Sequence, residues 1–168
     1  MSKGKGFHKL GDWGKLKMAS TSLAKDLKKA EVMALKKIGL KGETVAKEYI
    51  LSQPSSWQPL NAEYKKWKEA NKRSNKTLIA TSSYLQSITH KVDARAMVAY
   101  AGVTKKTTHK ESKRPMMDIA KVHEFGSKGQ GIPARPVWRP TLALVKKWIL
   151  DSRVVEKEIK KQFNKYRS

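Results

Sequence analysis

The feature that most constrains this fold is a helical stripe that begins near Asp12 and is stopped by Pro54. Leu16, Leu23, Leu27, Ala30, Ala34 and Ile38 fall on one helical face, with Lys25, Lys28, Lys29, Lys36 and Lys37 mostly elsewhere. Gly39 and Gly42 weaken the pattern, and Val45, Ala46, Tyr49 and Ile50 resume it. The expectation is one long helix with an irregularity between Gly39 and Gly42, or two helices in tandem.

Downstream elements are shorter. Gln53 to Leu60, with Pro54 and Pro59, reads as a loop, and Asn61 as the N-cap of a polar helix reaching about Asn71. Thr77 to Ser87 makes a short helix or turn exposing Leu78, Tyr84 and Leu85. Ser87 to Val92 and Arg95 to Val103 read as two strands joined by a tight turn at Asp93–Ala94. The second alternates poorly, which predicts that both its faces are covered. Pro115 to Phe125 reads as a short helix against the sheet, and Gly126 to Gly131 as a flexible link. A final helix starts at Pro140, where a missing N–H costs nothing. Ser152 and Glu156 interrupt its apolar face, so residues from about 152 to 168 either continue it or form a separate helix. The order is that of an α+β fold. At 168 residues and 39% hydrophobic content, residues 12–168 suit a single domain, preceded by a flexible basic arm at 1–11.

Charge is the next constraint: 37 Lys and Arg face 14 Asp and Glu, a net charge of +23. Self-repulsion of that size favours a polyanion or an acidic partner over a lone compact monomer. The excess runs along the whole chain, unlike a basic tail on a neutral domain. Lys105, Lys106, Lys110, Lys113 and Arg114, opposed only by Glu111, predict an exposed basic tip that touches DNA or an acidic protein; the plainer reading is a solvated loop. Tyr64, Lys65, Lys66, Trp67 and Lys68 interleave aromatic rings with cations, as nucleic-acid binders do, yet no helix-turn-helix, RNA-recognition or zinc-finger signature accompanies them.

Signals for chemistry are missing. Without cysteine there is no thiolate metal site, thiol redox chemistry or cysteine nucleophile. His8, His90, His109 and His123 have no companions at ligand spacing. His123–Glu124 resembles the start of a zinc-protease helix, but Ser127 stands where the second histidine belongs. Gly126, Gly129 and Gly131 lack the Lys–Ser/Thr of a phosphate loop, and Ser127 lacks the glycines of a nucleophile elbow. The expectation is a protein that is not an enzyme, with no catalytic residue, cofactor or metal. No apolar h-region occupies the first thirty residues, and no run approaches the roughly 18 residues of a membrane span. A chain made in the cytoplasm, without a signal peptide or membrane partner, is expected.

Two linked blocks carry a specific pattern: Ile119-Ala-Lys-Val-His-Glu-Phe-Gly-Ser127, then Ile132-Pro-Ala-Arg-Pro-Val-Trp-Arg-Pro140. Together they resemble the tail-completion or neck family of tailed bacteriophages, which includes the virion morphogenesis protein of Mu-like phages. Leu78 to Ile88 is similar to a third block of that family. It differs in having Ser82 where glycine is usual and one extra residue before Leu85; Trp138 stands where a smaller apolar residue or Phe is commoner. The resemblance spans roughly residues 77–142.

It implies a long helix packed on a small antiparallel sheet, and a structural subunit joining head connector to tail. Such a subunit would assemble with itself as a ring, most simply a hexamer, and would sit in the neck or upper tail of the virion. Its expected partners are head-connector and tail-terminator or tail-tube proteins, with DNA in the channel as a further candidate. The alternative is a basic nucleic-acid-binding protein. In the leading reading Glu124 and Phe125 belong to the contact surface. Gly131 to Pro140 forms a stiff extended connector presenting Arg135, Trp138 and Arg139, with Arg135 and Trp138 on one side of a polyproline-like ribbon. Otherwise Trp138 anchors the ribbon to its own core and Arg135 pairs with Glu124.

Overall fold

A computed structural model describes residues 12–104, 106–109 and 111–164. The expected arm at 1–11 lies outside the described residues, as do the last four residues of the expected domain. Helix α1, Trp13–Ser52, runs unbroken for 40 residues, about 60 Å. Asp12 caps it, accepting the Lys15 N–H at 3.0 Å. At the other end Gln53 turns left-handed, with φ 49°. Its amide accepts the Thr77 N–H at 2.6 Å and donates to the Thr77 carbonyl at 3.0 Å, tying the helix end to a distant segment.

The expected irregularity at Gly39–Gly42 is absent, because the glycines serve packing and do not end the helix. Strands β1, Ile88–Asp93, and β2, Val98–Val103, pair antiparallel, with His90 opposite Ala101. A Cβ on Gly42 would stand 2.8 Å from the Ala101 Cβ, and one on Gly39 3.2 Å from the His90 ring. Two glycines three residues apart thus sit beneath one cross-strand pair. Each sacrifices up to about 1 kcal/mol of helix propensity in return for a close helix–sheet approach. Beside them Glu43 accepts from Lys47 Nζ at 2.5 Å and meets His90 Nδ1 at 2.6 Å.

Alternation turns Ile88, His90, Ala101 and Val103 toward α1. The opposite face is not covered as expected: Val98 and Tyr100 are exposed. The turn is also longer than the expected Asp93–Ala94. Asp93 stays in β1 and its carboxylate accepts the N–H groups of Arg95 and Ala96, both at 2.9 Å, closing a four-residue loop.

The remaining helices are α2, Ala62–Ala70; α3, Ser83–Ser87; α4, Met116–Phe125; α5, Trp138–Ser152; and α6, Val154–Phe163. Asn61 caps α2 through the Glu63 N–H at 2.8 Å. Arg153, left-handed at φ 48°, separates α5 from α6, and both pack on α1. Buried Glu158 of α6 takes Lys37 of α1 at 2.5 Å. The core gathers Ala46 and Ile50 of α1, Trp57, Tyr84, Ile88, Val103, Met116 and Val137; Leu78 and Leu85 are half-buried and Tyr84 is buried, against the exposure expected. The architecture is α+β, a long N-terminal helix on a two-stranded antiparallel sheet with short and C-terminal helices. Gly14, Lys15 and residues 17–25 are all exposed, so the first turns of α1 extend past this body.

Moving one methyl across the helix–sheet contact tests its tightness. Gly42→Ala is expected to lower stability by about 1–2 kcal/mol in urea unfolding, its gain in propensity being outweighed by overpacking. Adding Ala101→Gly should restore most of the loss.

Candidate functional site

The first turn of any helix leaves backbone donors without partners. In α5 they converge on one side chain. The Glu124 carboxylate, at the end of α4, accepts from the N–H groups of Val137 at 2.7 Å, Trp138 at 2.9 Å and Arg139 at 3.2 Å. Pro140 has no N–H, and Thr141 makes the helix's first regular bond, to the Val137 carbonyl at 3.1 Å. Every donor of that turn is accounted for. Negative charge there also favours the positive end of the helix dipole. This cap lets α5 begin at Trp138, two residues before the expected start at Pro140.

The segment between the two helices is ordered by its backbone and is not a free link. Ser127 and Ile132 exchange two hydrogen bonds, at 2.8 and 3.0 Å, around a short 3-10 turn, Lys128–Gln130. The Arg135 N–H donates to the His123 carbonyl at 2.6 Å, and the Trp57 indole to the Pro136 carbonyl at 3.3 Å. Gly126, at φ 76°, could not carry a side chain, since a Cβ would meet the Ala134 nitrogen at 2.9 Å.

The five connector residues therefore divide. Glu124 and Arg135 are buried. Arg135 neither faces solvent nor pairs with Glu124; it donates to the carbonyls of Gln58 at 3.2 Å and Pro59 at 3.3 Å. Trp138 is half-buried against the core, in a helix and not on a ribbon. Phe125 and Arg139 remain outside. Phe125 is 65% exposed, and the Arg139 guanidinium lies 5.6 Å from its ring centroid. One turn along α5, Leu142 is also exposed. Beside Phe125 lies a shallow depression of about 390 Å³ reaching Gln58 and the 126–134 loop.

The basic tip is a small hairpin. His109 pairs with Arg114 through N–H to carbonyl at 2.9 Å, and Met116 with Thr107 at 2.8 Å. Lys106, Lys113 and Arg114 are exposed; Lys105 and Lys110 lie outside the described residues. Glu111 leaves the tip to bind Arg73 at 2.6 Å, and that guanidinium lowers the Glu111 pKa.

Burial governs the titratable groups beneath. It drives the His123 pKa down to about 4, with the Arg135 charge adding to the effect, and pushes the Tyr84 phenol up to about 12. Sequence reasoning missed both, along with Lys68, which is 1% exposed. The one available signal for Lys68 was its spacing: Leu60, Tyr64 and Lys68 repeat every four residues, and so share one face.

Fold and site together define an α+β protein in which the first of two C-terminal helices, α5, is started by a carboxylate from another helix. The chain is 36% identical over 105 residues to the uncharacterized protein MJ0331 of Methanocaldococcus jannaschii, an alignment covering 62% of this chain and 69% of that protein. It belongs to the family of that protein. No family model matches the chain, and no solved structure matches it.

Removing the cap should leave buried donors unsatisfied. Glu124→Ala is expected to cost about 2–3 kcal/mol in chemical denaturation. A separate acid effect belongs to His123. Between pH 6.5 and about 4 the unfolded chain binds a proton that the folded ring refuses. Stability should therefore fall as pH drops through that window, and His123→Gln should flatten the slope.

Proposed function

We propose that this protein is a structural, self-assembling subunit of the neck or upper tail of a tailed bacteriophage, joining head connector to tail. It would assemble in the cytoplasm of a bacterial host and reside in the virion. The observation that carries the reading is the joint between the two motif blocks. The Glu-Phe-Gly block supplies the carboxylate that starts the helix of the Pro-Ala-Arg-Pro block, and both blocks deliver one exposed residue, Phe125 and Arg139, to the same patch. A ring-forming subunit needs such a patch held at a fixed angle, because closed symmetry repeats one contact geometry around the axis. Leu142 on the same helix extends it, and the ring's partners would be further copies and the adjoining connector and tail proteins. Lys106, Lys113 and Arg114 would face DNA or acidic neighbours. Among the described residues no group of three or more His, Asp or Glu is placed to hold a metal, and no helix is long and apolar enough to cross a membrane.

One observation favours the second reading, a nucleic-acid-binding protein. Tyr64 and Trp67 are exposed on α2 and stack at 5.5 Å with their planes 12° apart, and Arg73 lies 5.2 Å from the Trp67 ring. Exposed rings among lysines and arginines are platforms on which bases stack.

Sedimentation and DNA binding separate the two. A ring subunit is expected to form closed oligomers as concentration rises, and Phe125→Ser with Arg139→Glu should abolish them while shifting the melting temperature by less than about 3 °C. A chain that stays monomeric, yet binds single-stranded DNA with a steep salt slope lost on Trp67→Ala, would replace the first reading with the second.

A further inference from the structure

Most of the positive charge is solvated, but Lys68 and Arg135 are 1% and 6% exposed. Burying a cation without an anion is costly, since several kcal/mol of hydration are lost. Neither has a carboxylate within 4.0 Å: the ion pairs of the described residues use Asp12, Glu43, Glu111, Asp118, Glu156 and Glu158. Glu124 is engaged with the α5 backbone. Lys68 Nζ donates to the Lys76 carbonyl at 2.8 Å and stands 5.6 Å from the Tyr64 ring. Arg135 uses Nε and Nη2 on two carbonyls, leaving Nη1 without a bond.

Both cations line one cavity of about 180 Å³, and no Asp or Glu is among its lining residues. Thr81 and Ser83 hydroxyls, bonded to each other at 2.8 Å, belong to its wall. So do Tyr84, whose buried hydroxyl lies next to the Trp138 indole, and His123, whose buried Nδ1 makes no hydrogen bond. Burial lowers the Lys68 pKa and the nearby Arg135 charge lowers it further, so the two cations repel across the space. Helix α2 sharpens the puzzle. Lys68 is its one buried residue, so a helix otherwise in water is fastened to the body by an ammonium group.

We propose that this cavity is a binding site for a small tetrahedral oxyanion, with inorganic phosphate as the representative ligand. Lys68 from α2 and Arg135 from the connector neutralise it, and donors from the 81–84 segment and α4 surround it. Donors drawn from four separate segments suit an ion that accepts in all directions better than a planar carboxylate. The depth of both cations keeps out the backbone of a duplex and selects a free ion. Bound there, the anion would join α2 to α4 and the connector.

Calorimetric titration and melting of the full chain in chloride buffer test this. Phosphate is expected to bind one per chain and raise Tm by several degrees, with sulfate similar and chloride inert at matched ionic strength. Lys68→Met should fold, since an apolar side chain replaces an unpaired buried charge, and should bind phosphate roughly tenfold or more weakly. Lys65→Gln with Lys66→Gln, on the solvated side of α2, should bind as the parent does. The proposal is overturned by a parent chain that shows no saturable phosphate binding, or by Lys68→Met with undiminished affinity. An equal response to acetate would overturn the assignment to a tetrahedral ion. If Lys68→Met does not fold, phosphate-induced shifts of the His123 ring resonances in the parent decide; their absence overturns the site.

Discussion

A two-stranded sheet is marginal in water by itself, and the hairpin here persists because a helix lies against it at glycine distance. Gly42 admits Ala101 closer to the α1 backbone than a Cβ would allow, and Gly39 takes His90 at a distance that a Cβ would crowd. That contact fixes where the sheet sits, and the sheet in turn positions α4 and the core around Ile88 and Val103. The Glu43–His90 contact lies beside the glycines, and further along α1 the Gln53 amide exchanges hydrogen bonds with Thr77. A carboxylate–imidazole contact and an amide thus help hold what the glycines bring near.

The second dependency is the helix start at Val137. A proline two residues into a helix removes one free donor, and a single carboxylate from α4 takes the other three. The chain from Phe125 to Val137 is therefore a closed loop whose two ends are bonded to the same residue and its neighbours. Its position is reinforced from outside by Trp57 and by the carbonyls of Gln58 and Pro59. Rigidity in this region comes from bonded backbone more than from the prolines that first suggest it.

Much of the fold was legible in the residues. The long apolar stripe, the Asn61 cap, the paired strands and the late break in the C-terminal helix all follow from spacing and composition, and the observed elements match them to within a few residues. What was not legible depends on partners far away in sequence. Gly39 and Gly42 look like helix breakers until Ala101 and His90 are placed over them. Asp93–Ala94 looks like a two-residue turn until Asp93 is seen to cap the loop with its own carboxylate. Within the candidate site, the leading reading puts Glu124, Arg135 and Trp138 at a contact surface because charge and indole often mark contacts. The structure buries the first two and packs Trp138 against the core, its alternative reading, while Phe125 and Arg139 are exposed. Lys68 could not be told from Lys65 and Lys66 by type, since burial is decided by which face of α2 meets the body.

The length of α1 has a consequence of its own. From about Ala30 onward one face of it is shielded by other elements, whereas residues 17–25, nearest Asp12, are exposed all round. Isolated helical segments of under about 12–15 residues are marginal, so the early turns owe their order to propagation from the packed part and to a single aspartate cap. One covalent rod thus has two thermodynamic regimes. Amide protons near Asp12 should exchange with solvent through local fraying, while those near Ile50 wait for global unfolding. The rod melts from one end, and protection along it rises as a gradient with no step at the glycines.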